Sequence, residues 1–196
     1  MLKTRSVLLL TLLLSLFSSA LTAEMETVKT KNFEGDKFVF PKDIKGTPLS
    51  LLFLAMGKDQ ENGTLQQQQQ IEWHKALAEK GILNEQVAAY HFPVMESPPF
   101  FVKGIIRSAM ADAYEGTADL SQSGVLYIDD LEEFAKEGGL TLDELPTLVL
   151  LSEDGKIIKE FKGVYSEELA TAIAAAINAE LAPSEEQAAV PNTPTP

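Results

Sequence analysis

The sequence predicts an α/β fold, in which a mixed β-sheet carries helices on both faces. Residues 49–56 are almost all apolar, which is typical of a strand buried on both faces of a sheet. Two strand–helix units follow one another over residues 49–80 and 86–114, and such crossovers place successive strands parallel. An antiparallel hairpin over residues 147–162 and a closing helix come next, so we expect the sheet to be mixed.

The elements around the central strand follow from local patterns. Residues 35–41 predict a short edge strand, because two phenylalanines alternate along it and a proline ends it. The polar residues 57–64 predict a loop, and residues 65–80 predict a helix with its apolar side chains on one face. The five glutamines at 66–70 are good helix formers, and we expect them to be a solvated part of that helix.

The second strand–helix unit has a strand over residues 86–95 and a helix over residues 100–114. We expect Ser97 to cap this helix, with two prolines in its first turn. Six apolar side chains lie at helical spacing and predict its buried face: Phe101, Ile105, Ile106, Ala109, Met110 and Ala113.

Clear start and stop signals mark the last elements. Residues 123–129 form another apolar run, and Asp130 then opens a short helix with an acidic first turn. The Asp-Gly pair at residues 154–155 predicts a hairpin turn. Ser166 starts the last helix, which has a continuous apolar stripe.

The two ends of the chain differ from its middle. Residues 1–23 read as a secretory signal peptide, with two basic residues, an apolar run and cleavage after Ala20 or Ala23. An uncleaved membrane anchor is the alternative, but the apolar run is shorter than the roughly 20 residues that span a bilayer. We therefore expect a periplasmic or secreted protein without stable membrane insertion after cleavage. The remaining divisions are an N-terminal extension (24–34), one folded domain (35–181) and a disordered, proline- and threonine-rich tail (182–196).

Composition excludes several classes of function. No cysteine occurs among the 196 residues, which rules out a catalytic thiol, a disulfide framework and a cysteine-ligated metal. Removal of the signal peptide takes away Lys3 and Arg5 and leaves 14 basic against 29 acidic residues, a net charge of −15. Such a charge argues against nucleic acid and anionic membranes as partners.

Two segments carry a family likeness. In residues 43–56 a Gly-Thr-Pro turn leads to an apolar strand that ends in Phe-Leu-Ala, and in residues 145–157 a proline opens a buried strand before an Asp-Gly-Lys hairpin. Together they resemble the thioredoxin-like superfamily, in particular its exported TlpA- and peroxiredoxin-type branch. The sequence Pro-Phe-Phe-Val-Lys-Gly-Ile-Ile from residue 99 resembles YtfJ-type periplasmic proteins, and a weaker likeness is to mitochondrial ATP synthase assembly factors.

This resemblance implies a thioredoxin-like fold over residues 38–177, with a cis peptide bond before Pro146 and a peptide-binding place beside it. The chain departs from the family at the loop that would carry two reactive cysteines, where it has Lys58, Asp59, Gln60 and Glu61. None of these can replace the thiolate nucleophile of a redox enzyme.

No other catalytic constellation is recognisable. His74 and His91 are the two histidines, and nothing in the sequence brings them together. The chain has no serine-nucleophile motif, no phosphate-binding glycine loop, no dinucleotide motif and no Asp-rich calcium loop. We therefore expect no catalytic residues, no metal site and no cofactor.

The sequence thus predicts an exported, non-redox domain that binds a protein or peptide partner in the cell envelope. By the resemblance, the partner-binding residues are the loop Lys58, Asp59, Gln60 and Glu61 together with Leu145 and Pro146. Two alternatives stay open. One is an assembly or stress factor that binds through another surface, such as the helix over 100–114, and the other is a metal-dependent enzyme with carboxylate ligands.

Overall fold

The computed structural model describes residues 25–44 and 46–182, so the expected signal peptide and the proline-rich tail lie outside the described residues. The elements in chain order are β1 (Val28–Lys31), β2 (Lys37–Phe40), β3 (Leu49–Ala55), α1 (Gln60–Glu79), β4 (Val87–Glu96), α2 (Phe100–Tyr114), β5 (Leu126–Ile128), α3 (Leu131–Glu137), β6 (Thr147–Ser152), β7 (Ile157–Lys162) and α4 (Glu167–Leu181). None of the helices within these ranges is long and apolar enough to cross a bilayer.

The main sheet is mixed, as the sequence predicts. Its five strands lie in the order β5-β4-β3-β6-β7. The strands β3, β4 and β5 are parallel, β6 is antiparallel to β3, and β7 is antiparallel to β6. All seven residues of β3 are buried, which confirms the prediction of a central strand covered on both faces.

A hydrophobic layer covers each face of the sheet. On one face, α1 and α4 pack through Trp73, Leu77, Ile173 and Ile177 against alternate side chains of β3 and β6. On the other face, α3 and the β1–β2 hairpin provide the cover. Asp130 caps α3 and Ser166 caps α4, each accepting a hydrogen bond from a backbone N–H in the first turn, as predicted.

The β1–β2 hairpin attaches to the edge of the sheet beside β5. Met25 and Val28 belong to the buried core, so the segment that the sequence assigns to an N-terminal extension contributes a strand and core side chains. Thr30 Oγ1 donates to the carbonyl of Val125 at 2.6 Å, and Asn32 forms a bridge with Gly124. A Cβ at Gly124 would lie 2.8 Å from the carbonyl oxygen of Lys31, so only glycine permits this close approach.

The cis peptide bond among the described residues is Phe40–Pro41, and the bond before Pro146 is not cis. The cis expectation at Pro146 is therefore not confirmed. A trans proline can stand before a strand because its missing N–H precedes the first residue of the ladder, which here is Thr147. The carbonyl of Pro146 still accepts a hydrogen bond from the N–H of Gly163 at 3.2 Å.

Candidate functional site

The first turn of α1 begins at the residues that were expected to form a loop. Asp59 is the N-cap, and its carboxylate accepts a hydrogen bond from the N–H of Asn62 at 2.8 Å. Gly57 lies directly against Gly63 of this turn, since a Cβ on Gly57 would fall 2.3 Å from the Cα of Gly63. The prediction of a loop through residue 64 was wrong, because the polar residues 60–64 form the exposed start of a capped helix.

Gln66 joins α1 to the end of the central strand. Its side-chain oxygen accepts from the N–H of Met56 at 2.9 Å, and its side-chain nitrogen donates to the carbonyl of Met56 at 3.3 Å. The same nitrogen lies 2.8 Å from Asn62 Oδ1 and 3.4 Å from the carbonyl oxygen of Asp143. A buried amide side chain thus satisfies the backbone just beyond β3 and fixes the start of α1 beside it.

The loop over residues 143–146 also meets the start of α1. Asn62 Nδ2 donates to the carbonyl of Glu144 at 3.0 Å. Lys162 forms an ion pair with Asp143 at 2.9 Å. Burial acts to raise the pKa of the Asp143 carboxyl, but hydrogen bonds from Lys162 and the Leu145 N–H, with a smaller contribution from the charge of Lys58, hold it below its usual value.

The two segments of the expected binding site, residues 58–61 and residues 145–146, therefore lie next to each other. The contacts between them are made by residues that the sequence did not single out. Asn62 and Gln66 make the contacts between them, and neither was expected to take part. Leu145 is exposed on the surface, whereas Pro146 is buried and can act only by shaping the loop.

A groove of about 570 Å³ lies between the start of α1, the end of β4 and α2. Lys58, Asp59 and Gln60 line one wall. Met95, at the end of β4, and Ile106 and Met110 of α2 line the opposite side, together with Leu131. Glu61 lies on a separate shallow depression along α1, and Leu145 and Pro146 do not line the groove.

The groove occupies the edge of the sheet at which ligands bind in open α/β folds. The parallel strands β3 and β4 both end there, and α1 presents its N-terminus to the same space. Apolar side chains with a few polar groups are the usual lining of binding clefts, and the volume falls in the usual range.

Helix α2 exposes much of the apolar stripe that the sequence predicts as its buried face. Phe101 and Ile105 are 68% and 70% exposed, and Phe100 is 87% exposed. Within α2, Tyr114 alone is buried, while Ile106 and Met110 pack partly against a small cluster. Ser97 does not cap this helix, which begins after Pro99 without a side-chain hydrogen bond.

Three of the five consecutive glutamines are buried, which corrects the expectation that they form a solvated turn. Gln66, Gln67 and Gln70 face the interior, whereas Gln68 is exposed. Neither polar atom of the Gln70 side chain has a hydrogen-bond partner among the described residues. A buried amide reduces stability unless it forms hydrogen bonds. Gln66, which is hydrogen-bonded, therefore stabilises the fold, whereas Gln70, which has no such bond within the described residues, destabilises it.

The structure also brings together the two histidines. His74 Nδ1 of α1 and His91 Nε2 of β4 are 2.9 Å apart. The ring of His91 stacks on Phe53 with centroids 4.3 Å apart, and its Nδ1 atom has no partner within the described residues. One ring donates and the other accepts, which is possible when both are neutral.

Burial disfavours the protonated form of both histidines. Desolvation lowers the pKa of His74, and desolvation followed by the neighbouring His74 lowers the pKa of His91 well below its usual value. His91 is fully buried, His74 is half-buried, and neither lines the groove, so we assign the pair a structural role. The sequence did not reveal the pair because the alignment of α1 over β4 depends on tertiary packing.

The described residues contain no cluster of three or more histidine, aspartate or glutamate side chains that could hold a metal.

Comparison with known proteins identifies the fold. No family model matches the sequence, and no curated protein sequence matches it. Yeast Sco1 is similar in structure, with a TM-score of 0.53 and 12% identity over 83% of this chain and 98% of that chain. The thioredoxin domain of a thiol-disulfide oxidoreductase from Bacteroides vulgatus has a TM-score of 0.51 and 13% identity over 80% and 98% of the two chains.

A third structure gives the same result. The C-terminal domain of a putative thiol-disulfide oxidoreductase from Bacteroides thetaiotaomicron has a TM-score of 0.52 and 18% identity over 81% of this chain and 99% of that chain. At these identities the likeness shows the fold alone. The chain has an α/β thioredoxin-like fold, as the sequence predicts, and the comparisons do not single out the TlpA- or YtfJ-type branch.

The structure of yeast Sco1 has also been solved with copper bound. The residues of the present chain do not fit a copper site. It has no thiolate to offer, and its two imidazoles, one fully buried and one half-buried, lie within hydrogen-bond distance of each other. We therefore derive no copper chemistry for it.

Proposed function

We propose that this chain is an exported, non-redox thioredoxin-like module that binds a protein or peptide segment in the cell envelope. The observation that carries the proposal is the groove between α1 and α2, where the loop residues Lys58, Asp59 and Gln60 face Met95, Ile106 and Met110. A segment bound there would cover apolar surface and meet polar groups at the start of α1.

The start of α1 supports a binding role over a redox role. In a thiol enzyme the helix N-terminus stabilises a thiolate, but here the carboxylate of Asp59 occupies the cap and pairs with a backbone N–H. Gln66 and Asn62 then tie this turn to β3 and to the loop over residues 143–146. A rigid, capped helix start suits recognition of a partner, because little freedom is lost on binding.

Leu145 and Pro146 take a secondary place in this proposal. Leu145 is exposed outside the groove lining, in the loop that Asn62 contacts, and can touch a partner that extends beyond the groove. Pro146 is buried, so it supports the loop from below. Glu61 lies in the first turn of α1 but lines a separate depression, so it adds negative charge outside the groove.

A second binding surface is favoured by the exposure of Phe100, Phe101 and Ile105 on α2. Exposed apolar residues on one helix of a soluble domain mark a contact surface for another protein. This surface corresponds to the alternative of an assembly or stress factor that binds through another face. It differs from the groove, so the two can be separated by mutation.

The test is affinity capture from native cell-envelope extract with the mature chain as bait. We expect Lys58→Ala/Gln60→Ala to lose the captured partner if the groove binds it. Phe101→Ser/Ile105→Ser should lose it if α2 binds it. Val164→Ser is the matched control, because Val164 is also an exposed apolar residue but lies outside both surfaces.

A second bait, which ends at residue 182 and so lacks the tail, is used in the same capture experiment. Partner binding that needs residues 183–196 would refute both surfaces and make the tail the binding element. Capture that survives both double variants would also refute the proposal. Elemental analysis of the purified protein tests the remaining alternative, since a stoichiometric metal would favour a metal-dependent enzyme.

A further inference from the structure

A second groove, of about 710 Å³, lies between α2 and the β1–β2 hairpin and is lined by other residues of that helix than the first groove. Five cationic side chains surround it: Lys29, Lys31, Lys37, Lys103 and Arg107. Phe38, Val39 and Tyr127 provide its apolar and aromatic lining. No function considered above uses this basic groove.

The cations on the hairpin wall are placed in an unfavourable arrangement. Lys31 and Lys37 are direct cross-strand partners, and Lys29 lies two residues from Lys31 on the same face of β1. Like charges directly opposite each other destabilise a hairpin. The stability of the hairpin therefore does not explain why lysines occupy these positions.

The wall of the groove that α2 forms also carries neighbouring like charges. Lys103 and Arg107 are four residues apart on α2, a spacing at which like charges repel across one turn. Lys103 Nζ lies 4.8 Å from the centre of the Tyr127 ring and 3.3 Å from Ser97 Oγ. Arg107 extends towards the hairpin, with one guanidinium nitrogen 3.9 Å from the place of a Cβ on Gly35.

These five cations have no anionic partner among the described residues. The ion pairs within the described residues join Lys80 to Glu167, Lys156 to Asp154, and Lys162 to Asp143, and none of these residues lines the basic groove. Yet acidic residues outnumber basic ones by 29 to 16 in the whole sequence. An acidic protein that gathers five unpaired cations around one groove has a concentrated positive potential there.

We propose that the basic groove binds a compact ligand with two or more phosphate groups. Lysine and arginine side chains on facing walls match several phosphate oxygens at once, and arginine can donate two parallel hydrogen bonds to one phosphate. The volume suits a small molecule. The acidic charge of the remaining protein repels an extended polyanion, so the ligand must fit within the groove.

The test measures pyrophosphate and triphosphate binding to the mature chain by calorimetry and by thermal shift. The variant Lys31→Gln/Lys37→Gln removes two charges from the hairpin wall, and Arg107→Gln removes one from the helical wall. The control Lys75→Gln/Lys159→Gln removes two charges outside the groove, as many as the hairpin variant removes within it. Vesicles of phosphatidylcholine with phosphatidic acid and a glutamate homopeptide serve as alternative ligands.

We expect pyrophosphate to bind the wild type and the control with similar affinity, and less tightly as salt concentration rises. Each groove variant should bind about tenfold more weakly or worse, because charged hydrogen bonds are lost. The hairpin variant should be at least as stable as the wild type, since it removes repulsion.

Four results would overturn the proposal. The first is no binding of either phosphate to the wild type, and the second is equal weakening in the groove and control variants. The third is binding to phosphatidic acid vesicles without binding of the free anions, which would mean that the ligand is a lipid surface. The fourth is tighter binding of the glutamate peptide than of pyrophosphate, which would mean that the ligand is an acidic protein segment.

Discussion

The same substitution at two buried glutamines of α1 should change stability in opposite directions. Gln66 and Gln70 are both fully buried and one helical turn apart. Gln66 bonds to the backbone of Met56, whereas neither side-chain polar atom of Gln70 has a partner among the described residues. Methionine has nearly the shape and the helix propensity of glutamine but lacks the amide, so it isolates the polar contribution.

The magnitudes follow from the bonds that are lost. Gln66→Met leaves the N–H of Met56 without its 2.9 Å partner in the core and also removes the 2.8 Å contact with Asn62. A buried donor without a partner costs about 1–3 kcal/mol, and each net hydrogen bond adds about 1 kcal/mol. We therefore expect a loss of about 2–4 kcal/mol in the free energy of unfolding.

Gln70→Met should instead raise the free energy of unfolding by about 1–2 kcal/mol, because it removes an unpaired amide from the core. Urea unfolding followed by the fluorescence of Trp73 measures both changes, since this single tryptophan is buried in the core. Circular dichroism at the same urea concentrations checks that unfolding is two-state. A loss of stability of similar size in both variants would refute this account of the buried glutamines.

Two further predictions concern the histidine pair and the start of α1. The folded-state pKa values of His74 and His91 lie below their unfolded values, so the unfolded chain takes up protons first as pH falls. The free energy of unfolding should therefore decrease from about pH 7 to about pH 5, by up to about 1.4 kcal/mol per pH unit for each histidine, and a flat urea-midpoint profile over this range would contradict the prediction. Gly57→Ala places a Cβ 2.3 Å from the backbone of Gly63 and should cost about 1–3 kcal/mol. Gly104→Ala in the open interior of α2 is the control and should stabilise by up to about 1 kcal/mol, so equal effects of the two changes in thermal unfolding would disprove the close packing at Gly57.

Much of the fold could be predicted because its signals are local. The unbroken apolar run of β3 indicates a strand covered on both faces, and the caps Asp130 and Ser166 are used as the sequence indicates. The hairpin turn contains Gly155 with a positive φ of 79°, which is why an Asp-Gly pair marks it. In each case the physical cause lies within a few residues of the signal.

The candidate site was predicted less completely because its contacts are distant in sequence. Lys58, Asp59 and Gln60 do line a groove, but Ile106 and Met110, which face them, were expected to be ordinary core residues. The buried amide of Gln66 could not be distinguished from its four glutamine neighbours, since its partner is the backbone of Met56. A pattern of polarity along a helix does not show which polar group meets a backbone atom of another element.

The sequence by itself determined the class of chemistry and the order of the elements. A chain without cysteine cannot perform thiol chemistry, and its apolar periodicity specifies strands and helices whatever their later neighbours. Tertiary structure alone decided the contact between His74 and His91, the burial of the glutamines and the gathering of five cations around one groove. These features depend on strand register and helix packing, which bring residues from separate elements within a few ångströms of each other.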